Sequence, residues 1–364
     1  MSETRSRVYA RAAAALAPML MLCGAARLLP GGAPRAQEAK PAAAAQAAQA
    51  QAQAAQVKPT LLVLNKAENT LALVDPATMQ VVARVPTGEG PHEVVVSADG
   101  RTAYVSNYGA EKPGNSLSVI DLAARKEVRR VDLGPLWRPH GLAERAGKVY
   151  FTAEVSRVVA RYDPAADRVD WLAGTGQNVT HMLVFHPTRA VIYTANILSD
   201  TVSVLELDRP QQPGPPPRIT HVAVGREPEG IDVSPDGREL WVAHRGDGGV
   251  SVIDTETLKV KETVKPGGQP IRVKFTGDGK HVLISSPSTG DLVVFDAATR
   301  KELKRFPVGE AAVGIVVSRD SRRAYVASMA TGKVTAVDLE TMTLAGSVQT
   351  GQAPDGLAWV GGEE

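Results

Sequence analysis

The chain has 364 residues, 22% of them charged and only 4% aromatic, with 33 glycines, 25 prolines and a single cysteine. Residues 1–56 carry six of its 41 basic and two of its 39 acidic residues, so the remainder is near neutral at 35 against 37. That balance argues against strong nucleic-acid binding. Because Cys23 lies in the leader, it also excludes disulfides, thiolate zinc sites and cysteine nucleophiles from residues 57–364.

Along the chain, residues 1–35 place Arg5, Arg7 and Arg11 before the short apolar stretch "AAAALAPMLMLCGAA", the order of a secretory signal peptide. Two cleavage points stay open, at Ala26 with Gly24 in the −3 position and at Ala36 after Pro34. Cys23 raises a lipoprotein alternative, weakened by bulky Leu22 just before it. Residues 36–56 are Ala/Gln low complexity with no apolar face, which reads as a linker. No apolar stretch in 57–364 has the length of a transmembrane helix.

The folded part opens with "TLLVLN", "TLALVD" and "QVVARVP", three strand-like runs between residues 60 and 86. Then comes "GPHEVVVSADGRTAYVSN" (90–107), two strands around an Asp-Gly turn, and this stretch recurs. Related copies start near Arg138, Val179, Glu227, Gln269 and Ala311, and a last half-copy, "APDGLAWVGG", starts at Ala353. The position of His92 returns at 140, 181, 229, 271, 313 and 355, a period near 42 widened twice to 48. Each repeat continues into a third strand ending in an acid, such as "SLSVID", and a fourth, alternating strand, such as "KEVRRVDLG". Four short strands per such period spell propeller blades. The N-terminal runs supply three strands without a first and "PDGLAWV" supplies a first without the rest. The prediction is therefore an all-β, single seven-bladed propeller over 57–364, its last blade closed by three N-terminal strands and one C-terminal strand.

With "AYVSN" (103–107), "IYTAN" (192–196), "AYVAS" (324–328), "VSPDGRELWVAH" (233–244) and "VIDTET" (252–257), the sequence resembles the YVTN family of β-propeller repeat proteins, close to its YncE-like group. The resemblance covers essentially all of 57–364 and implies an extracytoplasmic propeller, periplasmic or at the cell surface, without an agreed activity. DNA binding has been associated with YncE-like proteins, against which the neutral charge counts. Similar propellers carry lactonase activity or form the first domain of nitrous-oxide reductases, whose cysteine-bearing copper domain this chain lacks.

Residues repeated in nearly every blade belong to the scaffold. Asp75, Asp121, Asp163, Asp254, Asp296 and Asp338, followed at several blades by Thr, are expected to cap turns. Residues that vary at one repeat position carry individuality. Inner strands start at the mouth of the central channel, so His92, His140, His181, Glu229 and Asp355 are expected there, consecutive around the ring, with Ile271 and Val313 completing it. Such a set suits a small ligand, ion or peptide, and His92, His140 and His181 are also candidate ligands for a divalent metal ion. A surrounding rim is expected from the ends of the second strands, Asn65, Asn107, Asn196 and His244, with Glu154 and Arg245 nearby and Trp137 and Arg138 as a wall.

Two functions follow. One is a monomeric binding or scaffold propeller for a small ligand or a protein of the cell envelope. The other is a metal-assisted hydrolase or lactonase with Glu229 or Asp355 as base. No nucleophile elbow, dinucleotide fingerprint or haem-attachment motif is present.

Overall fold

The β-branched and leucine-rich runs, alternating with Gly- and Asp-containing turns, fold into 28 strands among the described residues, arranged as seven four-stranded antiparallel sheets. The structure, a computed structural model, describes residues 57–207 and 217–362. The expected leader and linker lie outside that range, and so do residues 208–216 of the Pro-rich segment "DRPQQPGPPPR" (208–218). Among the described residues no helix is long and apolar enough to cross a membrane.

The closing blade is built from both ends of the chain. Pro354–Val360 pairs with Thr60–Asn65, which pairs with Thr70–Asp75 and then Gln80–Pro86. Leu61 stands opposite Trp359 and Val63 opposite Leu357, so the joint is an antiparallel ladder, with one register shift between Val63 and Asn65. This pairing removes the two edges that an open ring would leave.

The recurrent acids act as turn caps. Asp254 Oδ1 accepts from the backbone of Glu256 and Thr257 and from the Thr257 hydroxyl, and Asp296 and Asp338 repeat the arrangement. The Asp-Gly turns hold Gly100, Gly237 and Gly279 at φ of 73°, 76° and 70°, a region open to glycine. Apolar side chains of the middle strands fill the space between blades: Trp241, Tyr193 and Tyr325 are fully buried, and Tyr325 stacks on Trp359 at 5.5 Å. Burial between sheets stabilises the ring at roughly 25 cal/mol per Å² of apolar surface.

What sets the channel is a run of glycines one residue beyond the ring position. A Cβ on Gly141 would lie 2.7 Å from the His181 carbonyl oxygen, and on Gly230, Gly314 or Gly356 it would strike the carbonyl of Ile271, Asp355 or His92. Glu93, Met182 and Arg272 hold the same position at the other three joints, whereas at these four the inner strands approach closer than a side chain would allow. Hydroxyls from the second strands tie them: Ser106 donates to the His140 carbonyl at 2.9 Å, Thr152 to that of His181 and Ser285 to that of Val313, both at 2.5 Å.

Candidate functional site

The crowding of the inner strands turns the ring residues of three consecutive blades into a stack. The His92 and His140 rings have centroids 4.0 Å apart, and those of His140 and His181 are 3.7 Å apart with 32° between planes. Tyr108 meets both His92 and His140 edge-on. His140, in the middle, is completely buried and neither ring nitrogen has a hydrogen-bond partner.

The flanks of the stack are charged. On one side Glu154 accepts from His181 Nδ1 at 2.5 Å and from the Tyr108 hydroxyl at 2.6 Å. Glu229 lies 3.7 Å from His181 Nε2 and is held from behind by Arg245 at 3.2 Å. On the other side Lys66 reaches His92 Nε2 at 2.8 Å and the Asp355 carboxylate at 3.3 Å. Beneath them Arg272 crosses the channel to Glu93, with Asp355 at 3.7 Å. That ion pair links blades on opposite sides and forms the floor.

Charge states follow from these contacts. Burial drives His140 well below the ordinary histidine range, and the neighbouring His181 and His92 push the same way. Burial also opposes a charge on His181, but Glu154 and Glu229 outweigh it and raise that ring to about 9. The carboxyls of Glu154, Glu229 and Asp355 would be raised by burial; their cationic neighbours hold all three below the usual range. At neutral pH the stack thus contains a neutral ring beside an imidazolium.

Above the floor opens a cavity of about 370 Å³. Six of the seven ring positions line it: His92, His181, Glu229, Ile271, Val313 and Asp355. His140 lies below, sealed by its neighbours. The polar arc faces an apolar one of Ile271, Val313 and Met329, while Ile197 and Leu198 line the cavity from the His181 blade itself.

The rim requires a correction. Asn65, Asn107, Asn196 and His244 are 0–2% exposed and point into their own blades. Asn107 accepts from the Gly88 amide and donates to Ser116 and Ser118; Asn65 donates to the Thr350 carbonyl; Asn196 binds Thr201 and Ser203. His244 accepts weakly from the Gly225 amide at 3.3 Å. They brace the loop that enters each blade. The cavity is lined instead by the residue one step further on: Lys66, Tyr108, Glu154, Ile197, Arg245 and Met329. One step along a strand reverses the direction of the side chain. Trp137 is 40% exposed and Arg138 lies 4.5 Å over the Tyr108 ring, both outside the cavity lining.

Two groups bring ligating atoms within 4.8 Å of one another: His92, Glu93 and His140, and His140, Glu154 and His181. The three histidines do not form one such group. Stacked imidazoles direct their in-plane lone pairs side by side, not toward a common point, so the crowding that brings the rings together keeps the metal set apart.

Comparison with known proteins agrees with this architecture. Residues 29–148 match the YNCE-like beta-propeller family, which bears out the YncE-like resemblance of the chain. Residues 150–315 match the Cytochrome D1 heme domain. No curated protein sequence matches the chain. Among solved structures, the periplasmic gluconolactonase PpgL of Pseudomonas aeruginosa is 18% identical, with a TM-score of 0.69 over 83% of this chain and 99% of that one. Hydrazine synthase of Kuenenia stuttgartiensis, also 18% identical, gives 0.66 over 77% and 92%. The dihydro-heme d1 dehydrogenase NirN gives 0.59 at 16% identity, over 82% and 74%. At such identities these likenesses establish the fold.

The haem of the second family was tested against the donor set. An axial histidine must offer a neutral nitrogen facing open space. His140 is neutral but sealed, and His181 is an imidazolium bound to Glu154. His92 meets Lys66 through Nε2, while its Nδ1 lies between the Asp355 and Glu93 carboxylates at 3.4 and 3.9 Å. As arranged, these residues do not fit a haem iron.

Proposed function

We propose that this chain is an extracytoplasmic binding propeller whose site is the channel mouth, and that its ligand is a small polyhydroxylated molecule such as a sugar acid or sugar lactone. The observation that carries this reading is the supply of buried, unspent polar atoms around the cavity. His181 Nε2 and His92 Nδ1 have no hydrogen-bond partner, and the Asp355 carboxylate, 3% exposed, meets its cations only at 3.3–3.7 Å. Unsatisfied buried donors and acceptors are costly, and a ligand that completes them recovers that cost. A hydroxyl both donates and accepts, which matches donors interleaved with carboxylates. The facing arc of Ile271, Val313 and Met329 suits the C–H face of such a molecule. The names of the gluconolactonases that share the fold point to the same ligand class. The leader read from the sequence supports export.

A lactonase is the second reading, favoured by the chain Tyr108–Glu154–His181, which orients one ring toward the cavity. His181 is protonated in this setting, so it would donate to a lactone oxygen. Base duty would fall to Asp355, whose pKa is held low by His92, Lys66 and Arg272. A weak base favours binding over turnover.

Calorimetric titration with gluconolactone and gluconate tests both. Binding that falls at least about tenfold in Asp355→Asn but survives in Trp137→Ala supports the site. No heat with either compound removes the ligand class, and steady lactone consumption above the spontaneous rate moves the protein to the second reading.

A further inference from the structure

The outer rim of the propeller presents seven edge strands, and six of them share a device. In each of these six the ladder slips by one residue, which leaves Val82, Val128, Asp170, Lys261, Leu303 or Ala345 as the extra residue of a β-bulge. A bulge bends and twists an edge so that another strand cannot lie flat against it. The exception among the described residues is Arg218–Ala223, "RITHVA", which pairs with Thr201–Glu206 without interruption from Glu206 opposite Arg218 to Thr201 opposite Ala223.

The direction of its free groups follows from the ladder. The Val224 amide donates to the Asp200 carbonyl at 3.0 Å, and this pair continues the same register. Bonded and non-bonded pairs alternate in an antiparallel ladder. Residues 218, 220 and 222 therefore bond inward, while Ile219, His221 and Ala223 turn their N–H and C=O groups to the outer edge, where no strand among the described residues pairs with them.

We propose that this edge pairs with its counterpart in a second copy of the chain, antiparallel about a two-fold axis at His221, joining two propellers side by side. The register that uses every free group sets His221 opposite His221, and Ile219 opposite Ala223 on both sides of it. Six backbone hydrogen bonds result, and the symmetry is self-complementary. Thr220 then faces Val222 and Arg218 faces Val224, so no like charges meet at neutral pH. The edge Lys126–Asp132 would fare differently, since pairing it about Arg129 opposes two guanidiniums. The charges and the single unbulged edge favour a second copy over an unrelated strand.

The test is sedimentation of the full chain over a concentration series. A monomer–dimer equilibrium is expected for the wild type. His221→Ala keeps the backbone amide and should dimerise as the wild type does. His221→Pro removes the two central bonds while sparing those to Thr201–Glu206, because proline is tolerated where an edge N–H faces out; its dimer should weaken about tenfold or more. If that variant melts early, Ala223→Pro makes the same point at the strand end. A wild type that stays monomeric up to its solubility limit overturns the proposal, and so does a proline variant that assembles as tightly as the wild type. An added extended peptide that binds this edge on a monomer would assign it to another occupant and overturn it too.

Discussion

His140 and His181 touch in one stack, yet their surroundings drive their charge states apart. Glu154 makes the difference, since it bonds one ring and not the other. The raised value of His181, about 9 against an ordinary 6.5, means its contribution to stability is complete below pH 6.5 and lost as pH climbs through 9. Glu154, held below 4.5, contributes above that pH and loses its share in acid. His140, lowered, adds a penalty as pH falls below 6.5, because the unfolded chain takes up the proton that the buried ring refuses. The melting temperature of Glu154→Gln should therefore lie below that of the wild type near pH 6.5 and fall less between pH 7 and 9, with Glu229 left as the remaining partner. Parallel curves for the two proteins would contradict the assignment of that charge to His181. The sequence placed these histidines at the channel by repeat position alone. It could not show the stack, because ring spacing depends on how closely neighbouring inner strands pack. Gly141 sets this at the His140–His181 joint, and no repeat pattern reveals it at the His92–His140 joint, where Glu93 stands instead. Glu93 and Arg272 were also hidden, although with Met182 they interrupt the glycines at the next repeat position and are the two charged residues there, which is the signal that would have found them.

Strands and turns were legible because hydrophobic alternation and Asp-Gly turns repeat with a fixed period, and each copy confirms the others. The rim was legible only in part: Glu154 and Arg245, read from the sequence beside it, do line the cavity, but the strand-end residues miss it for a one-residue reason. Asn65, Asn107, Asn196 and His244 close the second strands facing inward, where their side chains satisfy backbone amides and hydroxyls, whereas Lys66, Glu154 and Arg245 face the cavity. The same logic that assigned the repeated aspartates to the scaffold applies to the repeated asparagines. The joint of the closing blade was readable from the two incomplete ends. A chain ending at Ala353 loses Pro354–Val360, the inner strand of that blade, with buried Val360 and the Trp359 indole that stacks on Tyr325. It also loses Asp355 from the mouth. Such a truncation should fail to fold or melt far below the intact chain, by several kcal/mol, since it opens the ring and exposes a core. A truncated protein with the wild-type melting curve would defeat closure by both termini.

At the scale of the whole molecule, seven chain connections, the last of them into the blade shared by both ends, hold seven similar sheets around an axis, and the individuality of the protein concentrates where that axis opens. Five consecutive polar ring positions against two apolar ones make the mouth two-sided, and the Arg272–Glu93 pair closes its floor. The outer rim shows the same economy, with six edges blunted by bulges and one left straight. Fold and scaffold were readable from periodicity; ligand and partners were not, because they depend on side chains that the repeat leaves free to differ.

The mouth as a ligand site is most directly tested by the ring-nitrogen NMR spectrum of the seven histidines during titration with gluconolactone or gluconate. The account predicts that His181 and His92 shift as their unpartnered nitrogens, Nε2 and Nδ1, gain hydrogen bonds, while His186, His221 and His281, remote from the cavity lining, stay in place. Saturable shifts confined to those distant rings, or an unchanged spectrum at every concentration, would contradict it.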